Sequence, residues 1–108
     1  MMMWVEFYRT PSGRSPVEDY LKGLPIKEGA EIDAVLESIE QHGLDAPLVS
    51  MRQIQRKLWE LRVSRNRIFY VVLKRDRMVL LHAYKKRGQK APVSEIETAL
   101  RRMSEVME

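Results

Sequence analysis

The chain contains no cysteine, so no disulfide or thiolate metal site can hold it together, and its stability rests on packing alone. It has only two histidines, His42 and His82, which show no metal-ligand spacing. The basic middle of the chain has too few acids for a magnesium site, so neither metal nor other cofactor is expected. No apolar run approaches the roughly 20 residues needed to span a bilayer, and no membrane association is expected. The first residues, Met1-Met2-Met3-Trp4-Val5-Glu6, lack the basic stretch and apolar block of a secretory signal, which makes a cytoplasmic location the default. Repeats, low-complexity tracts and an internal linker are also missing. A chain of 108 residues is expected to form one domain over 1–108 with one modest core.

What the chain does have is segregated charge. The formal net charge is only +4. Residues 52–90, however, carry thirteen basic side chains against Glu60 and Asp76, a local excess of +11, while the flanks together net −7. The basic side chains are Arg52, Arg56, Lys57, Arg62, Arg65, Arg67, Lys74, Arg75, Arg77, Lys85, Lys86, Arg87 and Lys90. A solvated surface normally intersperses acids to relieve such repulsion, so a polyanion is the natural partner.

The pattern of residues predicts an α+β fold. Trp4 to Tyr8 reads as a first strand. Ser15-Pro16-Val17-Glu18 gives a capping box with proline at the first helical position, and Gly23 and Pro25 end that short helix. A second helix is expected from about Ile26 to His42, with Ile32, Val35, Leu36 and Ile39 as its apolar stripe and Gly43 as its C-terminal cap. The pattern then changes to period two. Leu58 to Val63 places Trp59, Leu61 and Val63 on one face and Leu58, Glu60 and Arg62 on the other. Ile68 to Leu73 reads as a central strand, Lys74-Arg75-Asp76-Arg77 as a hairpin turn, and Met78 to Tyr84 as the next strand, with Met78, Leu80, His82 and Tyr84 sharing a face. Pro92 opens a last helix in which Val93, Ile96, Leu100, Met103 and Met107 recur at helical spacing. The expected order is β-α-α-β-β-β-α, with helices packed on one face of a curved antiparallel sheet.

Several motifs occur in a fixed order: Lys57-Leu58-Trp59-Glu60-Leu61-Arg62, Arg67-Ile68-Phe69-Tyr70, Leu80-Leu81-His82-Ala83-Tyr84-Lys85-Lys86 and Gln89-Lys90-Ala91-Pro92. Ser12-Gly13-Arg14-Ser15-Pro16-Val17 precedes them, and Glu95 and Ala99 follow. Over nearly the whole chain this ordered set resembles the phage-derived HigB-like group of the RelE/ParE toxin superfamily. The resemblance implies a RelE-like fold and a toxin of a type II toxin–antitoxin pair. RelE and HigB relatives cleave mRNA, usually in the ribosomal A site and without metal, whereas ParE relatives poison DNA gyrase. It also implies mRNA and the ribosome as partners, with a small helix-turn-helix protein as cognate antitoxin. The functional basic positions of RelE-like members fall here on Lys57, Arg62, Arg67 and Lys86, with Arg87 as a further position. Tyr84 matches a place where relatives commonly carry a non-titrating aromatic.

Metal-free RNA cleavage needs the 2′-OH to attack the adjacent phosphorus, giving a 2′,3′-cyclic phosphate and a 5′-OH. Arginine suits the developing phosphorane, because its planar fork contacts two oxygens and stays charged. Arg62 and Arg67 lie on neighbouring predicted strands and converge if they share a face. Lys57, Lys86 and His82 are candidates for proton transfer. A lone histidine in an apolar strand is more often a packed core residue, and that reading leads for His82. Glu60 is read as an ion-pair partner orienting Arg62 ahead of a base, and Trp59 and Tyr70 as buried ahead of base-stacking. Arg52, Arg56, Arg65, Lys74, Arg75, Arg77, Lys85 and Lys90 are expected RNA-backbone contacts, those of the hairpin tip falling on ribosomal RNA. The rival readings are a ParE-like gyrase inhibitor and a non-catalytic RNA-binding module.

Overall fold

A computed structural model describes residues 2–47, 49–90 and 92–107. Met1 and Ala91, which belong to the opening methionine run and to the Gln89-to-Pro92 motif, lie outside the described residues. The elements follow as β1 (Trp4–Phe7), α1 (Pro16–Lys22), α2 (Ile26–His42), β2 (Ser50–Gln55), β3 (Leu58–Val63), β4 (Asn66–Leu73), β5 (Arg77–Lys85) and α3 (Val93–Val106). The fold is α+β: three helices on a five-stranded sheet of order β1-β5-β4-β3-β2.

Local chemistry accounts for the helix ends. The Ser15 hydroxyl accepts the backbone N–H of Glu18 at 3.3 Å, and Pro16 occupies the first helical position of α1. In α2, Ile32, Leu36 and Ile39 are buried along one stripe. Gly43 then adopts φ +79, a left-handed conformation that glycine takes without a Cβ penalty, and its N–H caps the Ile39 carbonyl. In α3 the buried stripe is Ala99 flanked by Ile96, Leu100, Met103 and Val106. The expected ends of that stripe, Val93 and Met107, are exposed.

Strands β3, β4 and β5 form the expected antiparallel meander. Two features depart from the expectation. The sheet is mixed, because β1 pairs parallel to β5 after the chain crosses through α1 and α2. It also gains β2, an edge strand paired antiparallel to β3 through Ser50↔Arg62, Met51↔Leu61 and Arg52↔Glu60. The sequence of β2, Ser-Met-Arg-Gln-Ile-Gln, lacks alternation because an edge strand is held by its ladder and buries little.

The helices cover both faces of the sheet rather than one. Val17 of α1 and the α2 stripe pack with Leu61, Val63, Ile68, Tyr70, Met78 and Leu80. On the opposite face, α3 packs with Leu58, Phe69, Val71, Val79, Leu81 and Tyr84. A central strand between two helical layers must be apolar on both sides, which is why Ile68, Phe69, Tyr70 and Val71 are all buried.

One irregularity shapes the site. Phe69 pairs with His82 and Tyr70 with Leu80, so Leu81 is an extra residue on β5. This β-bulge resets the alternation. Met78 and Leu80 face α1 and α2, whereas Leu81, the His82 ring and Tyr84 lie on the α3 side. The four alternate residues expected on one face are thereby split between two.

Candidate functional site

On the α3 side, two cross-strand rows run toward the end of the sheet where β3 turns into β4. One contains Arg62, Arg67 and Tyr84, through the pairs Arg62↔Arg67 and Arg67↔Tyr84. The next contains Arg52, Glu60, Phe69 and His82. The short β3–β4 connection sets this register and makes Arg62 and Arg67 direct neighbours.

Like charges placed opposite each other on a sheet destabilise it. Neither arginine has an ion-pair partner within 4 Å among the described residues. The Arg67 Nη1 donates to the carbonyls of Ser64 at 2.8 Å and Asn66 at 3.1 Å, which fixes the side chain without neutralising it. The Nε atoms of both Arg62 and Arg67 are buried and have no hydrogen-bond partner among the described residues. A buried donor left unpaired costs about 1–3 kcal/mol, more when charged. Two in one row are a cost that the packing around them leaves uncompensated, on side chains that are themselves only half-buried.

Glu60 is 2% exposed and lies 3.7 Å from Arg52, so it pairs with Arg52 rather than orienting Arg62. Tyr84 is 6% exposed and stacks on Phe69 with ring centroids 5.6 Å apart. Burial pushes its phenol upward, with Glu60 and Glu95 adding to the shift and Arg67 and Arg52 opposing it. Glu60 and His82 belong to the row next to the arginines, and Glu95 pairs with His82, so both carboxylates stand one row away from Arg62 and Arg67.

His82 is neither a sealed core residue nor open to the groove. Its ring lies parallel to Phe69, at 6.4 Å and 7°. Its Nε2 is 2.5 Å from Glu95 Oε1, and its Nδ1 is 3.3 Å from Arg102 Nη1. Arg102 also donates to the Leu81 carbonyl at 2.9 Å and lies over the Tyr8 ring at 5.1 Å. Burial pulls the Arg102 guanidinium below its ordinary value. Neither Glu95 nor Arg102 was expected as a partner of His82. The signal available in the sequence was their spacing, seven residues or two turns apart on one helical face.

The remaining basic residues divide by position. Lys86 directly follows β5 and donates its backbone N–H to the Arg65 carbonyl at 2.8 Å, which ties it beside the β3–β4 turn. Arg65, Arg87 and Lys90 are exposed at the same end of the sheet. Lys85 faces the other way, where it pairs with Glu28 of α2. Glu28 also accepts from Asn66 at 3.0 Å, and Asn66 accepts the Tyr20 hydroxyl at 2.5 Å, tying α1 and α2 to the sheet.

Lys57 is not brought to the arginines. It sits in the turn between β2 and β3, at the opposite end of the sheet, roughly 16 Å from Arg62 at the rise of an extended strand. Together with Arg56 it borders a cavity of about 290 Å³ on the α2 side, lined by Leu44, Met51, Trp59, Tyr70 and Val72. Trp59 and Tyr70 thus point away from the arginine row. Lys74 and Arg75 occupy the β4–β5 turn at that same distant end. Arg77 is engaged by Glu6 in two hydrogen bonds of 2.6 and 2.8 Å, which hold the Glu6 carboxyl below its usual range.

Among the described residues, no three His, Asp or Glu side chains gather as metal ligands would. Among the described residues, no helix is long and apolar enough to cross a membrane.

Comparison with known proteins places this architecture in a family. No curated protein matches the sequence. A family model described as "Phage derived protein Gp49-like" matches residues 19–104, from α1 through nearly all of α3 and including every residue of the arginine site. Because the match spans most of the chain, the protein belongs to the family of phage-derived Gp49-like proteins.

Proposed function

We propose that this protein is the toxin of a type II toxin–antitoxin pair and acts as a metal-independent mRNA endoribonuclease on ribosome-bound messages. The observation that carries the reading is the opposed pair Arg62 and Arg67, half-buried side by side on one face of the sheet with no carboxylate paired to either among the described residues. A phosphodiester fits that pair. Its two non-bridging oxygens accept from planar guanidinium forks, and its charge relieves their mutual repulsion. The same contacts strengthen as negative charge builds on the phosphorane formed by 2′-OH attack, so they favour the transition state over the bound ground state.

Arg52, Arg65, Lys86 and Arg87 extend the positive field around the pair and suit the backbone of a longer RNA, including ribosomal RNA. Arg87 and Lys86 supply charge at the mouth of the site. Tyr84 is a buried support for the row and takes no part in proton transfer. Lys57 lies too far from the arginines to share a step with them. The Gp49-like family and the sequence resemblance to HigB-like toxins agree with this reading. They also suggest a small helix-turn-helix antitoxin as the cognate partner.

The test is induction of the protein and its Arg67→Ala variant in a bacterial host, with mRNA 5′ ends mapped beside a growth curve. The expected result is arrest with new cuts inside translated codons, absent in the variant. Arrest with intact messages and DNA damage would replace the reading with gyrase inhibition. RNA binding without cuts would leave a binding module.

A further inference from the structure

We propose that Arg102 fixes His82 in its Nε2–H form, and that His82 in turn holds the Glu95 carboxylate beside the arginine row as the proton acceptor of the site. The second half of this proposal rests on the ribonuclease reading above.

Arginine has donors and no acceptor. The Arg102 Nη1 that donates to the Leu81 carbonyl at 2.9 Å is also 3.3 Å from His82 Nδ1. An imidazole nitrogen facing that group must present a lone pair, because a protonated Nδ1 would set two donors against each other. The single ring proton therefore sits on Nε2, directed at Glu95 Oε1 at 2.5 Å. Stacking against Phe69 fixes the plane of the ring, and the bulge at Leu81 supplies both the carbonyl that anchors Arg102 and the turn that brings His82 to the α3 side.

With Oε1 engaged by His82, Oε2 makes no hydrogen bond among the described residues, and the Glu95 side chain remains 30% exposed. Among the described residues near the row it is the carboxylate both held in place and open, since Glu60 is buried and paired with Arg52. In the proposed step Glu95 takes the proton of the 2′-OH while the 2′-oxygen bonds to phosphorus. The bond from phosphorus to the 5′-oxygen breaks, that oxygen takes a proton from water, and Glu95 later returns its proton to solvent. His82 and Arg102 are positioning residues that do not touch the RNA.

The test begins without RNA. In protein carrying His42→Asn, which leaves His82 as the one imidazole, long-range ¹H–¹⁵N spectra should show the Nε2–H form. Arg102→Met should convert it to a mixture, and Arg102→Lys should retain it. Cleavage of an mRNA in a translation extract is then compared. Glu95→Gln should lower kcat by about 100-fold, the scale of general-base catalysis, with KM little changed. His82→Gln keeps an amide donor at the place of Nε2 and should retain most of the activity, whereas the shorter His82→Asn should fall toward Glu95→Gln. An Nδ1–H ring in the parent protein, or a His82→Asn variant that cuts at the parent rate while folded, overturns the proposal. A parent protein that cuts no RNA overturns the ribonuclease reading and the role of Glu95 with it. The spectra alone then decide whether Arg102 sets the tautomer.

Discussion

Arg62 and Arg67 stand directly opposite each other on β3 and β4, on the same face of the sheet, with both Nε atoms buried and unpartnered among the described residues. Folding alone does not favour this arrangement. Two cations in register weaken a sheet, and two unpaired buried donors weaken it further.

Replacing one arginine should therefore leave the fold as stable as before or stabilise it, while removing function. Arg62→Met keeps the apolar stem and deletes the charge. We expect its unfolding free energy in urea to rise by up to about 1 kcal/mol. RNA cleavage should fall about 100-fold or more, as when a donor to a developing anion is lost. A marked loss of stability would instead make Arg62 a structural residue.

On the other side of the sheet the polar groups are satisfied, and the expectation reverses. Asn66 is fully buried between Tyr20 and Glu28. Asn66→Ala strands the Tyr20 hydroxyl in a part-buried position and removes a link between α2 and β4. Urea denaturation should show a loss of about 2 kcal/mol. RNA cleavage per folded molecule should be unchanged at low temperature, because the arginine row lies on the opposite face.

Alkaline pH should destabilise the protein through Tyr70. Burial pushes its phenol from the ordinary value of 10.0 up to about 12. A group whose pKa is raised by folding contributes fully below the unfolded value and loses that contribution as pH rises through the folded one. The window is thus pH 10 to about 12, where the unfolded chain ionises and the folded one does not. Tyr70 should remove roughly 1 kcal/mol of stability for each pH unit in that window. Tyr70→Phe should flatten this part of the profile, as measured by thermal unfolding from pH 9 to 12. An unchanged slope would show that Tyr70 ionises in the folded protein at its ordinary value.

How far the sequence discloses this molecule depends on what holds each part. The α2 helix is readable because Ile32, Leu36 and Ile39 repeat at helical spacing and Gly43 ends the run, so local pattern and tertiary burial agree. Arg62 and Arg67 are readable for a similar reason, since a short hairpin between two alternating strands fixes which residues face each other. The β2 strand is not readable. Arg52, Gln53 and Gln55 carry no alternation, and the backbone ladder to β3 decides their conformation. The Glu95–His82–Arg102 chain was equally hidden, because it exists only once α3 docks on β5. Lys57 shows the opposite failure. It belongs to the same short motif as Arg62, yet motif proximity along a strand is distance in space, and the two end far apart.

The extra residue at Leu81 works like an inserted letter in a reading frame. Before it, even-numbered positions of β5 face α1 and α2; after it, the odd-numbered Ala83 packs there, and Tyr84 turns to α3. One strand is thus read in two phases, the first to build the core and the second to sort His82 and Tyr84 from Lys85. Straightening the bulge with Leu81 kept in regular alternation would carry a single phase through the strand and exchange those assignments at once. It would set Lys85 beside the arginines and bury Tyr84 under α1 and α2, with every side chain still present in the chain.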